Sequence, residues 1–466
     1  MFLSSRSKWI VASITLALML VMAAVLTVGC GGDGTTTDGC GQEDGEDATR
    51  LAWPTPYRDL RRTGRCDNNG PSTSDVKWTF EAGAQTMAWS VLDMNGNVIA
   101  GFEGKLVNVD PDEGTLNWDF STGGDTATTP CVGEDGTIYA SAGSKVYALT
   151  PEGEEKWSYD MGAEADEPTV GSDGSVYVGA VGGRLVALSQ DGGLKWEQEV
   201  EGDIRSPSID GDNLYCGASP LALYAFDTEG NRQWEVHPEG ELPIYENMWE
   251  WMNTLDTPSI GDDGTIYAGS LTTPGVTTTG EFLTDYAIDP IGKLYAVSPD
   301  GQLKWSFDCP YQGLSYFQIH SPSIAKDGTL YAGTSNWIVL AINPDGNLIW
   351  EFNTGEGQTV CPSVFSPSIG KDGLLYAATT SGKMFCITPQ GTEQWRFVGG
   401  DPWLPGMSRS NNLTPPPIGT DGTLFTVMAE GKIFALKAGA TEQDGGEEPP
   451  PDDRPPIENR TEPPTP

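Results

Sequence analysis

Large and small residues alternate along this chain in short runs. "TIYASA", "SVYVGA", "TIYAGS", "TLYAGT" and "LLYAAT" are the clearest, each opened by a "DG" pair. A period of two marks β-strands, and Asp-Gly ahead of such a run marks a tight hairpin turn. A second landmark follows each run. "ALTPEGEEKW" ends at Trp157, "ALSQDGGLKW" at Trp196, "AFDTEGNRQW" at Trp234, "AVSPDGQLKW" at Trp305, "AINPDGNLIW" at Trp350 and "CITPQGTEQW" at Trp395. "NVDPDEGTLNW" ends at Trp118 with one extra turn residue. Glycine stands four places before the tryptophan in all seven.

One unit therefore reads as strand A ("SPSI"), a DG turn, strand B ("TIYAGS"), a variable loop, strand C ("GKLYAVS"), a "PDG" turn and strand D ("QLKWSF"). That is a four-stranded antiparallel meander of roughly forty residues, the size of a propeller blade. Eight DG-type landmarks and eight D-strand tryptophans are present, but out of phase: Trp78 in "VKWTF" precedes the first unit, and the last unit has no D strand. The pattern predicts an all-β, eight-bladed β-propeller whose ring is closed by the N-terminal "VKWTF" strand completing the last blade. Closure of that kind removes the exposed edges of an open array.

These residues resemble the pyrroloquinoline-quinone (PQQ) enzyme-like propeller repeats, with their pattern Ala-x-Asp/Ser-x-x-x-Gly-x-x-x-Trp. The opening "WPTPYRDLRRTGRC" is similar to the lead-in of such domains. The resemblance implies that Trp78, Trp118, Trp157, Trp196, Trp234, Trp305, Trp350 and Trp395 dock blade to blade. It is specific for fold and not for activity, because the superfamily holds quinoprotein dehydrogenases and an outer-membrane β-barrel-assembly scaffold lipoprotein. The dehydrogenase branch implies PQQ and calcium, two adjacent cysteines beside the cofactor, and in some members a Cys-x-x-Cys-His. The sequence has neither cysteine motif. A non-enzymatic binding or assembly scaffold without cofactor is therefore the leading expectation, and a quinoprotein-like oxidoreductase using PQQ and calcium the alternative.

The ends of the chain suggest an address. Arg6 and Lys8 precede an uncharged apolar run over residues 9–28, and "LTVGC" resembles a bacterial lipobox. The organisation predicted is a signal peptide (1–29), a lipid-modified Cys30 opening an acidic tether (30–52), the propeller (53–440) and an acidic proline-rich tail (441–466). Tether and tail lack the apolar residues needed to fold. The expected location is the bacterial cell envelope, anchored to a membrane by lipid, as a monomer. With 66 acidic residues against 26 basic ones the formal charge is −40. Nucleic acid is thereby excluded as a partner, since a phosphate binder needs a concentrated basic surface.

The meander places A–B and C–D turns on one face of the disc, where they are short. B–C and D–A loops fall on the other face and hold almost all length variation. Binding usually resides in such loops on a rigid scaffold. Their aromatic residues, Tyr245, Trp249, Trp251, Tyr311, Tyr316 and Trp403, with Trp337 in a B–C loop and His320 before an A strand, are the candidate contacts for a protein or glycan. The two histidines, His237 and His320, have no partners identifiable from sequence for a triad or metal site, so no catalytic residue and no metal are expected. The repeated "DDG" and "EDG" lack the spaced ligands of a calcium loop and read as turns. Cys309 and Cys361 fall in successive D–A loops and are placed to form a disulfide, as are Cys40 and Cys66 beside the tether. Cys131, Cys216 and Cys386 lie in strands and read as buried thiols.

Overall fold

The structure is a computed structural model of the chain and describes residues 53–86, 88–239, 253–272, 292–310, 317–355, 363–399 and 412–438. The chain divides into units 1–48 and 49–466, and all described residues lie in the second. Blade 3 shows the repeating pattern. Its strands Thr169–Val170, Val176–Gly179, Arg184–Leu188 and Leu194–Glu199 each pair antiparallel with the next. Eight such sheets form an eight-bladed β-propeller. In blade 1 the B and C positions form one run, Val98–Val109, with Gly104 at positive φ where the B–C turn falls. In blade 8 the A position is a single bridge, Ile418 to Leu424. Leu424–Met428 and Lys432–Leu436 follow, and Val76–Glu81 pairs antiparallel with the latter as the fourth strand. The N-terminal strand closes the ring as the phase of the repeats predicts.

Strands B and C are buried on both faces because neighbouring blades cover them, whereas strand D alternates exposed and half-buried positions at the rim. The core is consequently a series of layers between blades. One such layer joins Tyr139, Val146 and Ala148 of blade 2 to Val176, Val178 and Val186 of blade 3.

The repeated motifs are the fasteners of those layers. In seven blades the D-strand tryptophan lies against the B-strand aromatic of its own blade, as Trp196 lies 5.9 Å from Tyr177, while Trp118 of blade 1 packs on the cluster that holds Ile99. For seven of the eight the indole N–H donates to a carbonyl in the C–D turn of the next blade, as Trp196 to Thr228 at 2.9 Å, Trp234 to Pro299 at 2.8 Å and Trp305 to Pro344 at 2.9 Å, and Trp395 donates to the Pro71 carbonyl ahead of the closing strand at 3.3 Å. The glycine four places before the next tryptophan passes directly over that ring. At Gly230, φ is 90° and a Cβ would sit 2.7 Å from Trp196, so both conformation and space require glycine.

The serines of "SPSI" fasten the inner rim in both directions. The first accepts from a B-strand N–H one blade back: Gly179 to Ser206 at 2.9 Å, Gly269 to Ser321 and Gly333 to Ser366 at 3.1 Å. The second donates one blade forward: Ser259 to the Pro322 carbonyl at 2.6 Å and Ser368 to the Pro416 carbonyl at 2.6 Å. A Cβ on Gly333 would lie 2.1 Å from the Val364 carbonyl, so "YAG" and "SPSI" are two halves of one joint.

An innermost strand pairs on one side only and leaves backbone groups facing the axis, which need partners when buried. The lead-in segment supplies them. The last A-strand N–H of blades 1, 2, 4, 5, 6 and 7 (Leu92, Val132, Ile209, Ile260, Ile324, Ile369) donates to the carbonyls of Trp53, Pro54, Leu60, Arg61, Thr63 and Gly64 at 2.7–2.9 Å. The Cys66 thiol meets the Ile418 carbonyl of blade 8 at 3.8 Å. Residues 53–66 thus circle the axis on the A–B face. Tyr57, Arg58 and Arg62 take positive φ to make the bends. Ion pairs hold the segment down: Arg61 to Asp210 of blade 4 at 2.6 Å, and Arg65 to Asp262 of blade 5 through two hydrogen bonds of 2.6 and 3.0 Å. The Arg65 guanidinium holds the Asp262 carboxyl below its usual range.

Candidate binding site on the propeller axis

Each blade has an equivalent position at the D–A end, four residues before its A-strand Leu92, Val132, Val170, Ile209, Ile260, Ile324, Ile369 or Ile418. Counted from blade 1 the position reads Ala88, Thr128, Asp166, Arg205, Asp256, His320, Phe365 and Thr414. The residue after it is Trp89 in blade 1 and Glu167 in blade 3. The frame is constant because backbone pairing fixes it: the N–H groups of Asp166, Arg205, Asp256 and His320 all donate to carbonyls of B-strand glycines.

Blades 3 to 6 make the polar side of this site. Arg205 lies 3.7 Å from Asp166 and faces Asp256 as well. Asp256 lies 3.5 Å from His320 Nδ1, and Glu167 lies 3.9 Å from Arg62, which rises from the lead-in. Blades 7 and 1 make the aromatic side. Phe365 is 5.3 Å from the His320 ring and 6.0 Å from Trp89, and Trp89 meets Tyr57 edge-on at 4.8 Å. The Tyr57 hydroxyl bonds Ser366 and faces Asp256, Arg62 and Glu167. The contacts close into a ring around the axis, with the lead-in residues Tyr57 and Arg62 beneath.

Side-chain exposure is 21% for Asp166, 29% for Glu167, 37% for Asp256 and 44% for Arg205, although protein encloses these groups at the centre of the disc. Groups that are both enclosed and solvent-accessible line a concavity. Burial, reinforced by Asp166, pushes the Glu167 carboxyl up to about 7 despite Arg62. Desolvation acts against the Asp256 carboxylate too, but His320, Arg205 and Arg62 hold its carboxyl below the usual range.

His320 also contacts Ser363 through Nε2 at 3.1 Å, so Ser363, His320 and Asp256 stand in the order of a nucleophile relay. Acyl transfer needs N–H donors free to meet the developing oxyanion. The N–H groups of Ser363, Val364 and Phe365 are bound to Thr380 Oγ1, the Thr334 carbonyl and the Ala378 carbonyl. His320 bridges blades 5, 6 and 7 through Asp256, Ser363 and its ring 5.3 Å from Phe365. His237 bonds Glu235 at 2.9 Å on the edge of blade 4.

Of the sequence-derived candidates, His320 is at the axis and 7% exposed. Trp337, also 7% exposed, packs between blades 6 and 7 with Val339, Val364 and Phe385. Tyr245, Trp249, Trp251, Tyr311, Tyr316 and Trp403 lie outside the described residues, as do Cys30, Cys40 and Cys361. Cys309 is buried after strand D of blade 5, and Cys66 is buried in the lead-in. Cys131, Cys216 and Cys386 are buried thiols in strands, and desolvation raises each pKa. Asp166, Glu167, Arg205, Asp256, Phe365, Trp89, Tyr57 and Arg62 were not among the candidates. One available signal is internal variation: within "x-S/T-P-S-I" the x position changes from Arg to Asp to His to Phe between copies.

This architecture defines a PQQ-like β-propeller whose axis is stoppered on one face by its own lead-in and lined by charged and aromatic groups on the other. A family model described as outer membrane protein assembly factor BamB matches residues 142–270 and 248–442, and the chain belongs to that family. BamB from Moraxella catarrhalis is similar at 16% identity, over 78% of this chain and 97% of that one, with a TM-score of 0.54. The quinohemoprotein alcohol dehydrogenase from Comamonas testosteroni is similar at 12% identity, over 86% and 83%, with a TM-score of 0.56. The computationally designed Ika8 protein is similar at 12% identity, over 78% and 99%, with a TM-score of 0.58. At these identities the likeness is one of fold. The sequence matches none of the curated proteins.

The fold's quinoprotein members raise the question of PQQ and calcium. PQQ is a planar tricarboxylate and needs uncommitted cations around it. Here Arg62 and Arg205 already face Glu167, Asp166 and Asp256. Among the described residues no group of three or more His, Cys, Asp or Glu side chains is placed to hold a metal ion. These residues do not fit the quinone.

Proposed function

We propose that this chain is an exported, lipid-anchored scaffold that binds a protein partner without catalysing a reaction, through the B–C and D–A face of the disc. The observation carrying this reading is the asymmetry of the axis. Residues 53–66 cap the A–B face with seven backbone hydrogen bonds, while the charged and aromatic groups of the other end retain solvent access. Membership of a family described as outer membrane protein assembly factor BamB supports an assembly role. It also supports a bacterial envelope location, in keeping with a lipidated Cys30.

The test is co-purification from detergent-solubilised envelopes after cross-linking. Deleting residues 245–252, or combining Arg205→Ala with Asp256→Ala, should remove the partner from the purified fraction while Tm stays within a few degrees. Retention of the same partner by both variants would refute the reading.

A further inference from the structure

We propose that the axial pit accepts a cationic side chain, a lysine or arginine, presented by a segment of the protein partner. This rests on the scaffold reading above and adds the chemistry of recognition. Three carboxylates (Asp166, Glu167, Asp256) face two guanidinium groups (Arg62, Arg205), leaving one negative charge in excess when all are ionised. Those two cations are already turned toward carboxylates, so an incoming anion would meet more repulsion than attraction. The other half of the wall is aromatic: Tyr57, Trp89 and Phe365 are linked ring to ring. Carboxylates opposite aromatic faces suit an organic cation with an aliphatic stem, which gains from both charge and ring quadrupole. The acidic chain as a whole draws cations toward the pit.

The molecule already shows the mode once. Arg62 enters the axis from the A–B side and ends on Glu167. At the D–A end the backbone cannot add a strand, because the N–H groups of Asp166, Arg205, Asp256 and His320 are bonded within the disc. Recognition there must therefore run through side chains. Glu167 is faced by Arg62 and Tyr57 from the lead-in, Thr129 from blade 2, its neighbour Asp166, and Arg205 from blade 4. A bound cation favours its ionised form, so binding is tighter above neutral pH than below it.

The experiment uses the full chain labelled with 5-fluorotryptophan, with the Trp89 fluorine resonance assigned by Trp89→Phe. The probes are N-acetyl-lysine amide, N-acetyl-arginine amide and, as controls, N-acetyl-norleucine amide and N-acetyl-glutamate amide. Both cationic probes should shift the Trp89 resonance saturably, in the millimolar range and more tightly at pH 8 than at pH 6. Asp256→Asn should weaken them by about tenfold. Glu167→Gln should weaken them and flatten the pH dependence, which keeps the test decisive if Asp256→Asn does not fold. No saturable shift with either cation, or an equal shift with norleucine amide, overturns the proposal. The titration needs no partner. If it fails while the 245–252 deletion still loses the partner, the scaffold reading stands and only the cationic side chain falls.

Discussion

At the residue scale, the strength of this fold lies in a few paired requirements between blades. Gly333 and Ser366 illustrate one. Gly333→Ala would drive a Cβ to 2.1 Å from the Val364 carbonyl, and relief requires blades 6 and 7 to separate locally. A loss of roughly 3 kcal/mol or more is expected in urea denaturation. Ser366→Ala removes the acceptor for the Gly333 N–H together with the partner of the Tyr57 hydroxyl, and should cost about 1–2 kcal/mol. Because both act on one joint, the double variant should lose less than the sum. Additive losses would show that the two residues do not share it.

Glu167 carries a second prediction at this scale. Its carboxyl titrates at about 7 in the folded protein, against an ordinary value of 4.5. Between those values the folded state holds a proton that the unfolded chain has lost, so stability falls as pH rises from about 4.5 through 7. The penalty above pH 7 is on the order of 3 kcal/mol. Asp256 has the opposite sign, since its depressed carboxyl costs stability only in stronger acid. Glu167→Gln should therefore gain on the wild type in urea midpoint as pH is raised from 5 to 8. A constant difference between the two proteins would contradict the assignment.

At the element scale, the lead-in behaves as a ninth inner element, laid across six A strands. Removing residues 53–66 should expose the amides of Leu92, Val132, Ile209, Ile260, Ile324 and Ile369 to rapid hydrogen exchange, leaving the B and C strands protected. Unchanged exchange at these amides would mean that the segment is not their partner. The period-two runs, DG turns and Gly-to-Trp spacing made the blades, their number and the ring closure by Val76–Glu81 legible in the sequence. The lead-in's role was not legible. Its carbonyls do the bonding, and carbonyls leave no trace in residue type. The axial site was hidden for a related reason. Asp166, Arg205, Asp256 and His320 are separated by whole blades along the chain, and only the ring brings one position of each repeat to a common centre. Length and aromaticity are visible locally, so the long loops and His320 stand out in the sequence, whereas Asp256 and Ser363 do not.

At the scale of the whole molecule, the disc has two unlike faces. The A–B and C–D face carries short turns and the stopper. The stopper is pinned on that face by the ion pairs of Arg58, Arg61 and Arg65, while Arg62 reaches Glu167. The other face carries the solvent-accessible charges of the axis. That polarity is the basis of the proposed function, and it can be read by placing a photo-crosslinking residue on each face in turn. Val181, 50% exposed at the B–C turn of blade 3, and Met94, 48% exposed at the A–B turn of blade 1, are matched in exposure and opposite in position. The account predicts that p-benzoylphenylalanine at position 181 gives a discrete adduct with an envelope protein on irradiation, and that at position 94 it does not. An adduct from position 94 with none from position 181 would place the partner on the stoppered face and contradict the account.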